Sequence, residues 1–249
     1  MKPGIWYFTL SMLIACVVSL SVIAAPATDE DATIAASLAQ MLRSARVVIA
    51  ESQAKIDDPA VGDKGLSGRV VLDLAIQKYQ ATTGVDPASI DPKSRQGVLL
   101  QALKDAIVEV MDESQPQINA KGTGFKGFIP AVFARLVDEA FARHAKGEAE
   151  IKVTAPANLV RNRKARADAW EAEVITTKLL QANWPKGQPF SAVVQEGRPA
   201  FRIMVPEYYA ESCLSCHGVP KGEMDKTGYP KEGGKVGDLG AVISITLYH

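Results

Sequence analysis

The spacing of apolar residues changes once along the chain, and this change limits the folds that the chain can adopt. From residue 32 to residue 144, apolar residues recur every three or four positions, which is typical of helices with one buried face. From Glu150 onward, short stretches alternate polar and apolar residues and are rich in β-branched ones, as half-buried strands are. Helices followed by strands predict an α+β fold, in which a small, mostly antiparallel sheet is flanked by helices.

The same pattern predicts a single folded unit over residues 28–249. It begins with a long helix over Ala32–Ile56, which ends at the Asp-Asp-Pro sequence of residues 57–59. The other expected elements are helices that end near Gly84, Met111 and His144, a helix over Asp168–Ala182, and strands over Glu150–Thr154, Ala200–Val205 and Ala241–Leu247.

The N-terminal segment, residues 1–25, predicts export. Lys2 precedes an apolar run from Ile5 to Ala25, which suits either a secretory signal or one membrane-spanning anchor. Small residues near Ala24 and Ala27 favour cleavage by a signal peptidase. Cys16 lies inside this run, where the residues before it also resemble a lipoprotein cleavage site. We therefore expect a periplasmic or exported protein, free or held to the inner membrane by residues 5–25.

Composition excludes several classes of protein. Hydrophobic residues make up 47% of the chain and charged residues 22%, which indicates a globular protein rather than a disordered one. Lys plus Arg and Asp plus Glu each number 28, so there is no basic excess and nucleic acid is not an expected partner. With 3 cysteines in all, a disulfide framework is not expected either.

Residues 213–217 read Cys-Leu-Ser-Cys-His, and this arrangement predicts the covalent attachment of haem c. Two thiols three residues apart on a helical turn can add to the two vinyl groups of one porphyrin, and the adjacent His217 can then bind the iron. Cysteine and histidine each occur 3 times in 249 residues, so a chance match is expected on the order of 4 times in 10,000.

Three other interpretations of Cys213 and Cys216 stay open at this point. A zinc site would need further ligands, for which the sequence offers His144 and His249. A thioredoxin-like redox pair would need a strand before it and a helix after it, whereas a loop rich in Gly, Pro and Lys follows here. A structural disulfide is the third alternative.

Five segments in the second half of the chain form a recognisable set, which consists of Arg161–Glu171, Pro206–Tyr209, Cys213–Gly218, Tyr229–Pro230 and Gly237–Ser244. Together they resemble the PAS-like c-type haem domain, a family found alone or as the sensing part of bacterial signalling proteins. The resemblance covers Ile151–Leu247, reaches the N-terminal helix loosely, and makes residues 58–146 a helical insertion. It implies a haem held between the sheet and the long N-terminal helix, and a role in electron transfer or in redox or ligand sensing.

The sixth iron ligand is not settled by the resemblance. Members of that family can use a cysteine of the N-terminal helix, and this chain has no cysteine between residues 16 and 213. Met41, on the apolar face of that helix, is the candidate distal ligand, with core packing as the alternative. His144 and Met204 are weaker candidates, and an empty position would bind a small diatomic ligand.

Other residues near the motif are expected to contact the porphyrin. Arg161 and Arg163 belong to a short basic cluster, and guanidinium groups pair well with haem propionates. The alternative is a solvated turn before a helix. Tyr208, shortly before the motif, is expected to pack on the macrocycle, and its neighbour Tyr209 has the same expectation.

The sequence therefore predicts an exported monohaem c-type cytochrome that acts in electron transfer, with a redox partner protein, or in redox or gas sensing. We expect no enzymatic activity, because the sequence offers no nucleophile elbow, phosphate loop or paired-carboxylate motif. We expect no output domain after the last strand, and this expectation favours electron transfer. The alternatives are a periplasmic thiol oxidoreductase, a haem peroxidase and a zinc-stabilised interaction module.

Overall fold

The computed structural model describes Met1, residues 29–195 and residues 197–249. The expected signal or anchor, with residues 5–25 and Cys16, lies outside these ranges. Among the described residues, the helices are too short or too polar to cross a membrane.

Helices dominate the first half of the chain, as the spacing predicts. Ser67, Ser94 and Asp168 each accept a hydrogen bond from a backbone N–H of the first helical turn, which explains where their helices begin. The predicted helix 32–56 is divided at Ser52 into α1 and α2. The helices are α1 (Asp29–Glu51), α2 (Gln53–Ile56), α3 (Gly68–Thr83), α4 (Arg95–Glu113), α5 (Gln115–Ile118), α6 (Pro130–His144), α7 (Ala169–Val174) and α8 (Leu214–His217). A π-helical turn, Ile175–Leu179, continues α7.

Four strands form one antiparallel sheet, so the predicted α+β class is confirmed. They are β1 (Ala149–Thr154), β2 (Phe190–Val194), β3 (Ala200–Tyr208) and β4 (Leu239–Tyr248), in the spatial order β1-β4-β3-β2. The sequence did not predict β2, which is a short edge strand. Strand β3 continues beyond the predicted Val205 to Tyr208, where an irregularity shifts its register against β4.

The sheet separates two apolar cores. The larger core lies between one face of the sheet and α1, α3, α4 and α6. The smaller core lies on the other face, where α7 and the π-helical turn cover Met204 and Val242. Since β3 and β4 are central in the sheet, the connection between them begins and ends at strands that have a hydrogen-bonded neighbour on each side. The Cys-x-x-Cys-His motif lies in that connection.

A carboxyl group of α6 is buried against the sheet. Asp138 accepts a hydrogen bond from the backbone N–H of Val153 at 3.1 Å through Oδ2, while Oδ1 is buried and has no hydrogen-bond partner in the described part of the chain. This burial raises the pKa of Asp138 to about 8, although the charge of Arg46 favours ionisation. The folded protein therefore keeps Asp138 protonated at pH values where the unfolded chain has lost that proton.

We expect Asp138→Asn to remove a pH-dependent loss of stability. Because the folded pKa lies above the unfolded value of 3.8, the contribution of Asp138 to stability falls as the pH rises from about 4 to about 8. The expected loss is on the order of 2 kcal/mol, because the 1.36 kcal/mol per pKa unit is discounted: Oδ1 is buried, but the residue as a whole is partly exposed. Urea unfolding at pH 5 and pH 8.5 measures it, and the exposed Asp105→Asn is the control. An equal pH dependence in wild type and Asp138→Asn would contradict this prediction.

Candidate cofactor-attachment site

The two motif cysteines lie on one helical turn just beyond the end of β3. A short 3₁₀ turn, Glu211–Cys213, leads directly into α8, which ends at His217. Cys213 and Cys216 are both free thiols and both partly exposed. Residues three apart in a helix lie on the same face, so the two thiols face one side of the turn.

The His217 ring is fixed by two neighbours. Its Nδ1 lies 2.8 Å from Oε2 of Glu232, and one face of the ring stacks on Tyr209, with ring centroids 5.0 Å apart and an interplanar angle of 19°. Burial opposes the ionisation of Glu232, but hydrogen bonds from Arg161 and His217 outweigh it and lower its pKa. The contact at Nδ1 leaves Nε2 as the nitrogen with which His217 can coordinate a metal.

Arg161 connects the motif to the loop that follows it. Its Nε and Nη2 donate to the two carboxylate oxygens of Glu232 at 2.9 and 3.1 Å, and Nη1 donates to Oδ2 of Asp225 at 2.6 Å. The remaining two hydrogen bonds reach the Cys216 carbonyl oxygen at 2.9 Å and the Thr227 hydroxyl at 3.3 Å. All five N–H groups thus have protein acceptors. Arg161 thus holds the motif against the loop, and its expected contact with a haem propionate stays a prediction.

Arg163, the other arginine expected to contact a propionate, lies in the exposed 3₁₀ turn Arg163–Ala165. Its neighbour Lys164 forms an ion pair with Glu139 of α6 at 3.0 Å. The role suggested for Arg163 stays a prediction, and its surroundings also fit the alternative of a solvated turn.

The tyrosine that contacts the motif is Tyr209. Tyr208, the last residue of β3, packs against the smaller core, and its hydroxyl accepts a hydrogen bond from the Gly187 backbone N–H at 2.9 Å. The expected packing of either tyrosine on a porphyrin stays a prediction.

Two glycines make room for the Tyr209 ring. A Cβ atom on Gly240 would lie 2.2 Å from Cε1 of Tyr209, and a Cβ atom on Gly234 would lie 2.7 Å from Cε2. The backbone of Tyr209 also bonds to this segment, since its N–H donates to the Asp238 carbonyl oxygen at 2.9 Å. Burial raises the pKa of Tyr209 to about 12, and its hydroxyl has no hydrogen-bond partner among the described residues.

The candidates for the sixth ligand have other environments. Met41 is completely buried in the larger core and Met204 in the smaller one, where both side chains pack against apolar neighbours. Nε2 of His144 lies 2.6 Å from Oε2 of Glu109. His144 is the last residue of α6, shortly before Ala149, which pairs with Leu247 at the end of β4. The motif lies next to the start of β4, and the two ends of this strand are roughly 25 Å apart.

A comparison with known families matches almost the whole chain. The model of the family described as Tll0287-like matches residues 24–247, which includes the helical half that the sequence resemblance reached loosely. The chain belongs to the Tll0287-like family. This family is one of cytochrome-like domains. No curated protein and no solved structure matches the chain.

The residues around the motif of this Tll0287-like chain fit a haem. Both thiols are free, and Nε2 of His217 is the nitrogen left for coordination. Exposed apolar side chains also occur in the connection that follows the motif, and a porphyrin needs apolar contacts. These side chains are Val219, Met224, Tyr229 and Val236.

The Tll0287-like chain also has site residues that sequence reasoning missed. Glu232 and Asp225 lie 71 and 64 residues from Arg161, and these contacts form only in the folded chain. The acidic residues of this loop gave no local signal that distinguished them from solvated charges. Within residues 29–195 and 197–249, no three His, Cys, Asp or Glu side chains converge as a metal site would require.

Proposed function

We propose that this protein is an exported c-type cytochrome with one covalently attached haem, and that it transfers electrons. The observation that carries the proposal is the turn of residues 213–217, where two free thiols share one helical face and His217 is held through Nδ1. A cytochrome-like family is consistent with this use. Haem, when bound, supplies a one-electron redox centre.

Each residue of the site would have a separate role in binding the haem. Cys213 and Cys216 would form the two thioether bonds, and His217 would be the proximal iron ligand. Tyr209 and Glu232 would fix the orientation of the His217 ring, and Arg161 would hold the loop that carries Glu232. A proximal ligand with so little freedom supports electron transfer, because it keeps its geometry in both oxidation states.

We place the protein outside the cytoplasm, because haem is attached to this motif there, and residues 5–25 support export or a single-helix tether. The proposed partner is a protein that donates or accepts electrons. Fractionation of cells that express the full chain would test the location, with cytoplasmic haem-free protein as the contrary outcome.

The test of the function is spectroscopic. The full chain would be expressed in a host with a cytochrome c maturation system, and alkaline pyridine, oxidised and reduced spectra would be recorded. We expect a c-type haemochrome at one haem per chain, and a low-spin, six-coordinate iron would support electron transfer. A high-spin iron that binds carbon monoxide would indicate gas sensing, and peroxide turnover would indicate a peroxidase. A colourless protein with two titratable thiols or bound zinc would overturn the haem proposal.

A further inference from the structure

The group that holds His217 is a carboxylate paired with an arginine. Oε2 of Glu232 lies 2.8 Å from Nδ1, and both carboxylate oxygens accept hydrogen bonds from the Arg161 guanidinium group, which is the pairing typical of an ionised carboxylate. The Glu232 side chain is 16% exposed, so water screens this charge only in part. The imidazole of His217 therefore donates its N–H to a carboxylate, which is a stronger acceptor than a neutral carbonyl group.

A carboxylate at Nδ1 changes the ligand at Nε2. It draws the Nδ1 proton toward itself, which raises the electron density and the basicity of the coordinating nitrogen. A more basic nitrogen stabilises the ferric more than the ferrous iron, so the reduction potential falls. Hydrogen bonding to the axial ligand is one of the ways in which a protein sets this potential.

Arg161 opposes the effect of Glu232. Its guanidinium group binds both oxygens of the same carboxylate, at 2.9 and 3.1 Å, and thereby neutralises part of the negative charge. It also holds Glu232 in place, because it is bonded to the Cys216 carbonyl oxygen and to Asp225. The position and the effective charge of Glu232 thus depend on a single neighbour.

We propose that Glu232 is a positioning residue that lowers the reduction potential of the haem through His217, and that Arg161 limits the size of this effect. The proposal rests on the proposed function, because it requires a haem on His217. It assigns part of the potential to the ion pair between Arg161 and Glu232, a residue of the loop that follows the motif.

Potentiometric titration of Glu232→Gln tests the proposal. Glutamine keeps an acceptor oxygen for the Nδ1 proton but removes the charge, so we expect the midpoint potential to rise by about 59 mV, which is a tenfold change in a one-electron equilibrium. Glu223→Gln is the matched control: it removes the same charge from the same loop, but Glu223 is exposed and paired with Lys231. Its potential is expected to equal that of wild type.

Arg161→Gln is expected to shift the potential in the opposite direction. The glutamine amide keeps a hydrogen-bond donor that holds Glu232 against His217, while removal of the positive charge leaves the charge of Glu232 unopposed, so we expect the potential to fall. A merely loosened site would admit water in both variants and shift both potentials in the same direction, so opposite signs distinguish the two explanations. An unchanged or lowered potential in Glu232→Gln with a normal haem content would overturn the proposal.

The haem content of each variant separates this proposal from the proposed function. If Glu232→Gln binds no haem, Glu232→Asp and Arg161→Gln test the proposal instead. A potential near that of wild type in Glu232→Asp and a lower potential in Arg161→Gln support it. A raised or unchanged potential in Arg161→Gln overturns it. A wild-type protein without haem would refute the proposed function first.

Discussion

The variant Cys213→Ala/Cys216→Ala is expected to lose its covalently attached haem completely while it keeps its fold. Both cysteines are partly exposed, and neither belongs to the two apolar cores. Relative to the haem-free wild-type chain, their replacement by alanine should therefore change the free energy of unfolding by less than about 1 kcal/mol. Extraction with acidified acetone followed by a pyridine spectrum measures the covalent haem.

The control for this prediction is Ser215→Ala, because Ser215 is an exposed residue between the two cysteines on the same turn. It is expected to keep one haem per chain. Each single cysteine variant is expected to keep one thioether bond and to show a shifted pyridine haemochrome spectrum. If the double variant held haem that resists extraction, another residue of the chain would have to form the bond.

The fold could be predicted from the sequence where it depends on periodic burial. Helix α6 begins at Pro130 and ends at His144 as expected, because proline suits a first helical turn and the apolar spacing continues to the end. The break at Ser52 and the edge strand β2 were missed, since both depend on contacts beyond a few residues. An edge strand with one partner leaves a weaker pattern than a central strand.

The candidate site also has a part that the sequence predicts and a part that it does not. Cys213, Cys216 and His217 are adjacent in the chain, so their common chemistry is visible in five residues. Glu232 reaches His217 because a loop of 15 residues folds back onto the motif. Prediction of that contact would require the path of the loop, which no local pattern specifies.

A further part of the site depends on the absence of side chains. In the sequence, Gly234 and Gly240 indicate only a flexible connection. In the structure, their lack of a side chain leaves space for the Tyr209 ring. The ring is held at two edges by backbone and on one face by His217, so it has little space to move. A glycine of this kind is recognised only once the neighbouring ring is placed.

Gly240→Ala is therefore expected to be strongly destabilising. Its Cβ atom would lie 2.2 Å from Cε1 and 2.4 Å from Cδ1 of Tyr209, and the backbone at Gly234 blocks a retreat toward the other edge. Overpacking of this kind costs about 3 kcal/mol, which corresponds to a fall in Tm of about 6–12 °C for a chain of this size. Thermal unfolding followed by circular dichroism measures the change.

The effect should extend from stability to the haem, because the ring that Gly240→Ala displaces is the one that stacks on His217. Gly124→Ala is the control: the nearest atom to its Cβ would be 4.0 Å away, so it should unfold like wild type. Tyr209→Ala removes the obstructing ring, so adding Gly240→Ala to it should cost much less than Gly240→Ala alone. If the two destabilisations were fully additive, the effect of Gly240→Ala would not depend on the Tyr209 ring. The proposed effect of Gly240 on His217 through Tyr209 would then be refuted.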